Sequence, residues 1–364
     1  MSTARKRIVH DDDARFDRPS KRSSRARTKL RPAHADAVVG FVTAVDRGRY
    51  TLLLNEGTKA ETVVIAMRAR ELSKDRVVVG DLVDVVGDVS GAKDTLARIV
   101  RIKDRTSVLR RTADDNDPYE RIVVANADQL VIVTALANPE PRTGMIDRAA
   151  IAAYDAGMDV LLCLTKADLA PADALRDLYE PLGVKVVVIR PAADGSRDTT
   201  GSRRLCDSDI AQLFDALEGK VSVFLGHSGV GKSTLVNALV PGARRATSHV
   251  NEITGRGRHT STSAVGLRLK RPDGSNAGWV VDTPGVRSLG LAHVEVEHVL
   301  AAFDDLAAAA DSCPRGCTHL ASAPDCALDD WVQDAPDSTT EATKTARLAS
   351  FRRVLESRTA NVGS

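Results

Sequence analysis

The stretch VSVFLGHSGVGKST, Val221 to Thr234, decides the fold class of this chain. It places the spacing Gly-x-x-x-x-Gly-Lys-Ser between an apolar run typical of a strand and the segment KSTLVNAL, which is typical of a helix. Glycines at such a junction let backbone N–H groups wrap around phosphates, and the N-terminus of the following helix adds positive potential. The stretch therefore predicts a phosphate-binding loop within an α/β domain.

This loop supplies most of the expected nucleotide contacts. They are Gly226, His227, Ser228, Gly229, Val230, Gly231, Lys232, Ser233 and Thr234. Lys232 is expected to bridge the β- and γ-phosphates, and the Ser233 hydroxyl is expected to bind Mg²⁺. A nucleoside triphosphate with Mg²⁺ is therefore the predicted ligand.

Strands and helices alternate on both sides of the loop. The segments QLVIVTAL, DVLLCLT, VKVVVI and VSVFL read as buried strands, and helical segments separate them. Continuously apolar strands are typical of a parallel sheet that helices cover on both faces. We therefore predict a central α/β nucleotide-binding domain over residues 105–290.

Two further motifs on the phosphate side follow the loop. The segment GWVVDTPG contains Asp282, expected to hold Mg²⁺ through water, and Gly285, whose N–H is expected to contact the γ-phosphate. Between the phosphate loop and GWVVDTPG lies the segment GRGRHTSTS, Gly255 to Ser263. Its Gly and Arg content predicts a flexible switch loop. Thr260 and Thr262 are the candidate Mg²⁺ ligands there, with Thr260 preferred.

The tetrapeptide Thr165-Lys166-Ala167-Asp168 matches the guanine-reading pattern Asn/Thr-Lys-x-Asp. Asp168 is expected to accept the N–H donors of the guanine ring edge, and the Lys166 stem to pack along the nucleotide. Thr165 stands where Asn is more usual. A second guanine-contacting loop falls near residues 190–192, where Pro191 has no N–H to donate, so no residue is assigned there.

The guanine-reading tetrapeptide precedes the phosphate loop, whereas an ordinary GTPase has the opposite order. A four-residue match is weak alone, but the three phosphate-side motifs make a guanine nucleotide the expected ligand. A circularly permuted chain can keep the same sheet in space, because only the point of chain entry differs. We therefore predict a circularly permuted nucleotide-binding domain.

The residues before this domain divide into a basic segment and a run of short strands. Residues 1–31 contain eleven Lys or Arg against four Asp, a net charge of +7 in a chain whose total is +2. We predict a disordered tail over residues 1–35, either a nucleic-acid-binding arm or a solvated appendage.

Residues 36–104 read as five short strands punctuated by Gly, Asn and Asp, which predicts an OB-type barrel. Its role is either purely structural or nucleic-acid binding. Because Tyr50 is the one aromatic that we single out there, we expect contact with backbone phosphates rather than base stacking.

Residues 291–364 are predicted to form a mainly helical zinc-binding domain. The segment CPRGCTHLASAPDC supplies a candidate ligand set, which is Cys313, Cys317, His319 and Cys326. Three thiolates and one imidazole complete a tetrahedral Zn²⁺ site with no open position, so we expect one structural ion. The segment TARLASFRRVLESR predicts an amphipathic helix.

The composition gives little support to other classes of protein. Hydrophobic residues make up 43% of the 364 residues, enough for a sizeable core, and five cysteines do not make a disulfide scaffold. No apolar run approaches the roughly 18 residues of a membrane helix, and no signal peptide is apparent. We expect a cytoplasmic, monomeric protein that does not bind membranes.

In motif content and order, the sequence resembles the ribosome small-subunit-dependent GTPases of the RsgA or YjeQ type. The resemblance extends from the barrel through GHSGVGKST, GRHTST and DTPGV to the cysteine cluster. It implies hydrolysis of GTP to GDP and phosphate, stimulated by the 30S subunit, during late maturation of that subunit. It further implies the 30S subunit and its 16S rRNA as partners, with other assembly factors as further candidates.

Two other functions remain open on the sequence alone. One is a GTPase acting on the large subunit or another RNA; the other is an RNA-binding module in which nucleotide only supports the fold. A water-orienting Gln often follows the Asp-x-x-Gly motif, but Val286 stands here. His259 is therefore the candidate catalytic residue. Alternatively, His259 packs the loop, and Arg256 and Arg258 offset charge in the transition state.

Overall fold

The computed structural model describes residues 34–72, 75–112, 120–197, 201, 203–243, 264–283, 289, 291 and 294–357. The strands in these ranges are β1 (Val38–Asp46), β2 (Arg49–Leu54), β3 (Thr62–Arg68), β4 (Leu82–Gly87), β5 (Ala97–Ile102), β6 (Val108–Thr112), β7 (Glu120–Ala125), β8 (Gln129–Ala135), β9 (Asp159–Thr165), β10 (Lys185–Val188), β11 (Lys220–Leu225), β12 (Val265–Lys270) and β13 (Asn276–Asp282). The α-helices are α1 (Thr143–Asp155), α2 (Asp173–Tyr179), α3 (Asp207–Leu217), α4 (Lys232–Leu239), α5 (Val296–Leu300), α6 (Asp304–Ala310), α7 (Ala327–Gln333) and α8 (Ser338–Glu356).

The first five strands close into a barrel. β1 pairs antiparallel with β2 and β4, β2 pairs antiparallel with β3, and β5 joins β3 in parallel and β4 antiparallel. Apolar side chains from all five strands fill the interior, and Tyr50 is among them with 5% exposure. The predicted barrel is confirmed, and Tyr50 is a core residue rather than a platform for bases.

The central α/β domain contains the predicted parallel sheet. Its strand order is β10-β9-β8-β11-β13-β12; the first five strands are parallel, and β12 runs antiparallel to β13 at the edge. All seven residues of β8 are buried, as expected for a strand covered on both faces. β12 also pairs with β1 at Val265 and Ala44, so barrel and domain share one sheet.

A two-stranded hairpin, β6 with β7, connects the barrel to the parallel sheet. It is fixed to the barrel by the Val79–Val124 bridge and by the Asn126 side-chain amide, which donates to the Gly80 carbonyl over 2.9 Å. The sequence analysis did not identify this hairpin or strand β12. The boundary of the α/β domain at residue 105 stays a prediction.

The C-terminal helices share a core with the α/β domain. In α8, the apolar stripe of Leu348, Phe351, Val354 and Leu355 is buried against the cluster that contains α1. The Phe303 ring packs between Tyr154 and Phe351, with ring centroids 4.9 and 5.5 Å away. The amphipathic α8 helix is thus confirmed. No helix in the described ranges is long and apolar enough to cross a membrane.

Candidate nucleotide site and metal cluster

The predicted nucleotide motifs meet at one edge of the parallel sheet. Strands β8, β9, β11 and β13 all end there, because they run in the same direction. Thr165 at the end of β9 stands opposite Ala135, and Asp282 at the end of β13 stands opposite Phe224. Ligand sites of open parallel sheets lie at this carboxyl edge. The permuted order of the motifs therefore does not separate them in space.

The phosphate loop connects the end of β11 at Leu225 to the start of α4 at Lys232. Gly226 passes so close to the neighbouring strand that a Cβ atom there would lie 2.7 Å from the Val133 carbonyl oxygen. Gly231 has φ +93°, in the left-handed region that favours glycine. These two glycines are thus required by the course of the backbone around the loop.

The rest of the loop offers both buried and accessible groups. Val230 is buried, His227 is half-buried, and Ser228 and Gly229 are exposed. In the first turn of α4, the Ser233 side chain is exposed and Thr234 is half-buried. The polar side chains predicted to contact a nucleotide and Mg²⁺ are therefore accessible from solvent.

The end of β13 is held beside the phosphate loop. The Lys232 ammonium group contacts the Asp282 carboxylate, and their side chains are 12% and 21% exposed. The Thr283 hydroxyl donates to the Phe224 carbonyl oxygen over 2.7 Å. The contact between Lys232 and Asp282 brings together a cation and a carboxylate that belong to two separate motifs.

Thr165 links the guanine-reading tetrapeptide to the phosphate loop. Its side chain is 5% exposed, and its hydroxyl donates to the Val230 carbonyl oxygen over 2.5 Å. The Thr134 carbonyl oxygen lies 3.2 Å from the same hydroxyl. The two motifs therefore contact each other directly.

The two charged residues of the tetrapeptide, Lys166 and Asp168, have polar partners. Lys166 has φ +57°, and its ammonium group donates to the Asn138 carbonyl oxygen. The Asp168 carboxylate pairs with Arg203 over 2.9 Å. Arg203 belongs to a second limb, residues 203–206, that pairs with residues 190–197 after β10 and leads to α3. These two limbs are here called the return hairpin. No sequence motif indicated this contact, because Arg203 lies in a polar segment without periodicity.

The predicted residues His259, Thr260, Thr262 and Gly285 lie outside the described ranges, and so do the alternative candidates Arg256 and Arg258. The described chain stops at Ala243 and resumes at Ala264, and it ends again at Thr283. The catalytic role of His259, the Mg²⁺ contact of Thr260 and the phosphate contact of Gly285 therefore stay predictions.

The four predicted zinc ligands form one cluster. The ligand atoms of Cys313, Cys317, His319 and Cys326 lie within 4.8 Å of one another. The His319 Nδ1 atom is 3.6 Å from the Cys313 Sγ atom and 3.8 Å from the Cys326 Sγ atom. A tetrahedral Zn²⁺ with bonds of about 2.0–2.3 Å separates its ligand atoms by about 3.5–3.8 Å. The donor set and its spacing therefore fit a tetrahedral metal site.

The surroundings of the cluster act differently on its imidazole and its thiols. Burial lowers the pKa of His319, which favours the neutral imidazole. Burial also raises the pKa of the Cys313 thiol to about 11, so its thiolate needs a cation beside it at neutral pH. Backbone N–H groups of His319 and Ala327 donate to Cys317 and Cys313 sulfur atoms over 3.4 and 3.3 Å.

The strand order, the phosphate loop and the base-reading motif at one edge define a circularly permuted α/β nucleotide-binding domain, flanked by a barrel and by helices with a Cys₃His cluster. A family model described as RsgA GTPase matches residues 102–292. The chain belongs to the RsgA GTPase family.

Curated relatives carry names of this family. "Small ribosomal subunit biogenesis GTPase RsgA" from Pseudomonas aeruginosa is 38% identical over 242 residues, covering 65% of this chain and 64% of the relative. The chain thus spans just under two thirds of that relative's length. "Small ribosomal subunit biogenesis GTPase RsgA 1" from Vibrio vulnificus is 32% identical over 299 residues, covering 80% of this chain and 75% of the relative.

Two solved structures share the fold. The crystal structure of YjeQ from Thermotoga maritima matches with a TM-score of 0.54 at 24% identity, covering 88% of this chain and 99% of that chain. The crystal structure of YloQ, described as a circularly permuted GTPase, matches with a TM-score of 0.55 at 21% identity, covering 88% and 97%. At this level of sequence identity, the two matches show a shared fold.

Proposed function

We propose that this chain hydrolyses GTP to GDP and phosphate, and that it binds the 30S ribosomal subunit and assists its late maturation. One observation carries the enzymatic part: the base-reading tetrapeptide and the phosphate loop meet at one sheet edge, joined by the Thr165–Val230 hydrogen bond. The ribosomal part is supported by relatives named small ribosomal subunit biogenesis GTPases.

Guanine selectivity is assigned to the tetrapeptide. The Asp168 carboxylate accepts the N–H donors of the guanine edge, which adenine lacks at those positions. The Lys166 stem packs along the nucleotide, while Thr165 fixes the tetrapeptide against the phosphate loop. The accessible carboxylate of Asp168, with its side chain 30% exposed, supports this role.

The triphosphate is assigned to the loop 226–234, with Lys232 on the β- and γ-phosphates and the Gly285 N–H on the γ-phosphate. Mg²⁺ suits the oxygen donors of Ser233, Asp282 and Thr260, and it would neutralise charge on the phosphates. The contact between Lys232 and Asp282 supports a shared task for these two residues at the phosphates.

Hydrolysis requires a group that orients the attacking water, and Val286 cannot supply it. We assign that task to His259, because a neutral imidazole can orient or deprotonate water at neutral pH. The 30S subunit then acts by holding residues 255–262 so that His259 reaches the water. Hydrolysis releases the protein, or a companion factor, from the matured subunit.

The Cys₃His cluster is assigned one structural Zn²⁺, held by Cys313, Cys317, His319 and Cys326. Only 28 positions separate Gly285 from Cys313. A change at the γ-phosphate can therefore reach the zinc region along a short length of chain. We propose that 16S rRNA is contacted by the barrel, the zinc region and the basic segment 1–35. The protein would then act as a monomer in the cytoplasm, where ribosomes assemble.

Nucleotide choice tests the enzymatic assignment. Asp168→Asn removes a carboxylate acceptor, and the loss of a buried hydrogen-bond partner costs about 1–3 kcal/mol. We expect the preference for GTP over ATP to fall accordingly in equilibrium binding. Unchanged selectivity in this variant would show that the tetrapeptide does not read the base.

Co-sedimentation tests the partner. Purified 30S and 50S subunits are each mixed with the protein and either GDP or a non-hydrolysable GTP analogue. We expect binding to 30S subunits that depends on the nucleotide and weakens steeply with salt, because contacts to RNA phosphates dominate. Equal binding to 50S subunits would indicate a different RNA partner.

A further inference from the structure

The Asp168 carboxylate is held by an arginine that no motif marks. Arg203 donates from Nη1 to Asp168 Oδ2 over 2.9 Å. Their side chains are 54% and 30% exposed. In the described part of the chain, the observed side-chain hydrogen bond to the Asp168 carboxylate comes from Arg203.

Backbone pairing in the return hairpin fixes the position of Arg203. Arg197 and Arg203 form a bridge between the two limbs. Next to it, the Arg204 N–H donates to the Ser196 carbonyl oxygen over 2.9 Å. The first limb continues from β10, which pairs in parallel with β9, the strand that ends at the tetrapeptide. The guanidinium of Arg203 is therefore delivered to Asp168 by backbone hydrogen bonds.

The residues at the expected second guanine loop have other partners. The Arg190 guanidinium donates to Asp209 over 2.9 and 2.5 Å. Pro191 has no N–H, and the Ala192 N–H donates to a carbonyl oxygen of the returning limb over 2.9 Å. None of these three residues is seen to donate to Asp168, so within the return hairpin the observed contact with this carboxylate comes from Arg203.

The contact is one-sided, unlike the two-pronged pair of Arg347 with Asp305. Arg347 holds Asp305 with two hydrogen bonds of 2.5 and 2.6 Å, one to each oxygen. Arg203 instead contacts a single oxygen of Asp168. Since a carboxylate offers about four lone-pair positions, acceptor capacity remains for a base edge. The geometry is that of a contact that orients the carboxylate without covering it.

We propose that Arg203 is a positioning residue that determines specificity for guanine nucleotides. It acts through Asp168, because its hydrogen bond to Oδ2 fixes the carboxylate in the orientation that accepts the donors of the guanine edge. This proposal rests on the proposed role of Asp168 as the base reader. Arg203 needs no contact of its own with the nucleotide.

The test compares the affinities for GDP and IDP. Hypoxanthine, the base of IDP, lacks the exocyclic amino group of guanine, so the ratio of the two dissociation constants reports the contact with Asp168. We expect Arg203→Ala to lower the preference for GDP by about fivefold, the upper range for a half-exposed pair. Arg203→Lys should restore part of this preference, because it keeps a donor.

A matched control comes from the same hairpin. Arg204 pairs with the exposed Asp207 over 3.2 Å. Arg204→Ala should keep the wild-type GDP/IDP ratio and the same thermal unfolding midpoint as Arg203→Ala. Equal losses of GDP and IDP affinity in Arg203→Ala would contradict the proposal, since damage to the fold weakens both. Tighter GDP binding would also overturn it and make Arg203 a competitor of the base.

A double-mutant cycle separates this proposal from the one on which it rests. Asp168→Ala should abolish the preference for GDP, and adding Arg203→Ala should then change nothing further. If Asp168→Ala keeps the preference, the base-reader assignment itself fails. If Asp168→Ala loses the preference but Arg203→Ala keeps it, the assignment stands and the role of Arg203 is wrong.

Discussion

Thr165 stands where guanine-reading motifs more often carry Asn, and its buried hydroxyl connects two motifs that are 65 positions apart in sequence. Because this side chain is 5% exposed, its hydrogen bond to the Val230 carbonyl oxygen is shielded from water. Removing a buried hydrogen-bond partner leaves the other group unsatisfied. The hydroxyl therefore stabilises the contact between base-reading and phosphate-binding segments.

Thr165→Val tests this link, because it keeps the shape of the side chain and removes the hydroxyl. We expect GDP binding about fivefold weaker, from the loss of about 1 kcal/mol. Thr165→Ser retains the hydroxyl and serves as the control, with affinity near that of the wild type. Titration calorimetry measures both; wild-type affinity in Thr165→Val would show that the link is unimportant for the nucleotide.

The catalytic residue is tested by His259→Ala. The imidazole is proposed to orient the attacking water and to bind neither the nucleotide nor the subunit. The variant should therefore bind GTP and 30S subunits normally but lose most of the 30S-stimulated rate of GTP hydrolysis. Single-turnover hydrolysis with and without 30S subunits measures this directly. Full stimulation in the variant would move the catalytic group onto the ribosome or onto Arg256 and Arg258.

At the level of single residues, motifs predicted Thr165, Lys232 and Asp282 as site residues, because nucleotide chemistry fixes residue types at set spacings. The structure brings these three residues to one edge. Arg203 was not identifiable, since a single arginine in a polar loop has neither spacing nor periodicity. Its contact depends on how the return hairpin pairs, which the sequence did not indicate.

Among the elements, the barrel strands and parallel strands were predictable because their apolar residues form continuous or alternating runs. β6, with the sequence VLRRT, is polar along half its length, and its hairpin with β7 was missed. β12, with the sequence VGLRLK, alternates but directly follows the segment read as a switch loop. Tertiary pairing, rather than local pattern, makes these segments strands.

The return hairpin is attached to α3 by Asp209. This carboxylate, in a side chain only 5% exposed, accepts from the backbone N–H and the guanidinium of Arg190. The hydrogen bonds from the Arg190 side chain are the main cause of a lowered pKa for Asp209. A folded-state pKa below the unfolded value of about 3.9 gives stability above that pH, which is lost as the pH falls through the folded-state pKa.

Asp209→Asn should therefore destabilise the protein in a pH-dependent way. At neutral pH we expect a loss of about 1 kcal/mol, or a thermal midpoint lower by about 2–4 °C. Near about pH 3.5 the difference from the wild type should shrink. Asp207→Asn, at an 87% exposed side chain, is the control and should match the wild type. An equal loss of stability in Asp209→Asn at both pH values would show that the ionised carboxylate of Asp209 does not stabilise the fold.

The Cys₃His cluster lies between α6 and α7, and the proposed structural zinc would organise this segment. We expect one equivalent of zinc to co-purify. Cys317→Ser should lose it and weaken amide-exchange protection in residues 294–357, while GTP binding is largely retained. Cys206→Ser, which changes a cysteine outside the cluster, should keep the metal. Metal-free protein with normally protected C-terminal helices would exclude a structural ion.

Across the whole molecule, α8 ties the C-terminal helices to the α/β domain through polar contacts as well as its apolar stripe. The buried Asp147 of α1 contacts Arg353 and accepts from the Tyr179 hydroxyl over 2.8 Å. Arg353 also donates to the Leu178 carbonyl oxygen over 3.0 Å, with its guanidinium 4.7 Å from the Tyr179 ring centroid. Burial raises the pKa of Asp147.

The sequence predicted the apolar face of α8 but not these polar partners. Asp147 reads as an ordinary polar position of α1, and its distance from Arg353 in sequence is 206 positions. Such pairs follow from the packing of distant elements. The helices around the Cys₃His cluster consequently share one core with the nucleotide-binding sheet.

The proposed function is GTP hydrolysis stimulated by the small ribosomal subunit. The most direct measurement is phosphate release from GTP by the protein alone, with 30S subunits and with 50S subunits, using Lys232→Ala as the inactive control. We predict slow release alone and a rise of at least about tenfold with 30S subunits only, because a general base brought into position contributes about 10²–10⁴ to the rate. Release that is unchanged by 30S subunits, or equally raised by 50S subunits, would contradict the claim.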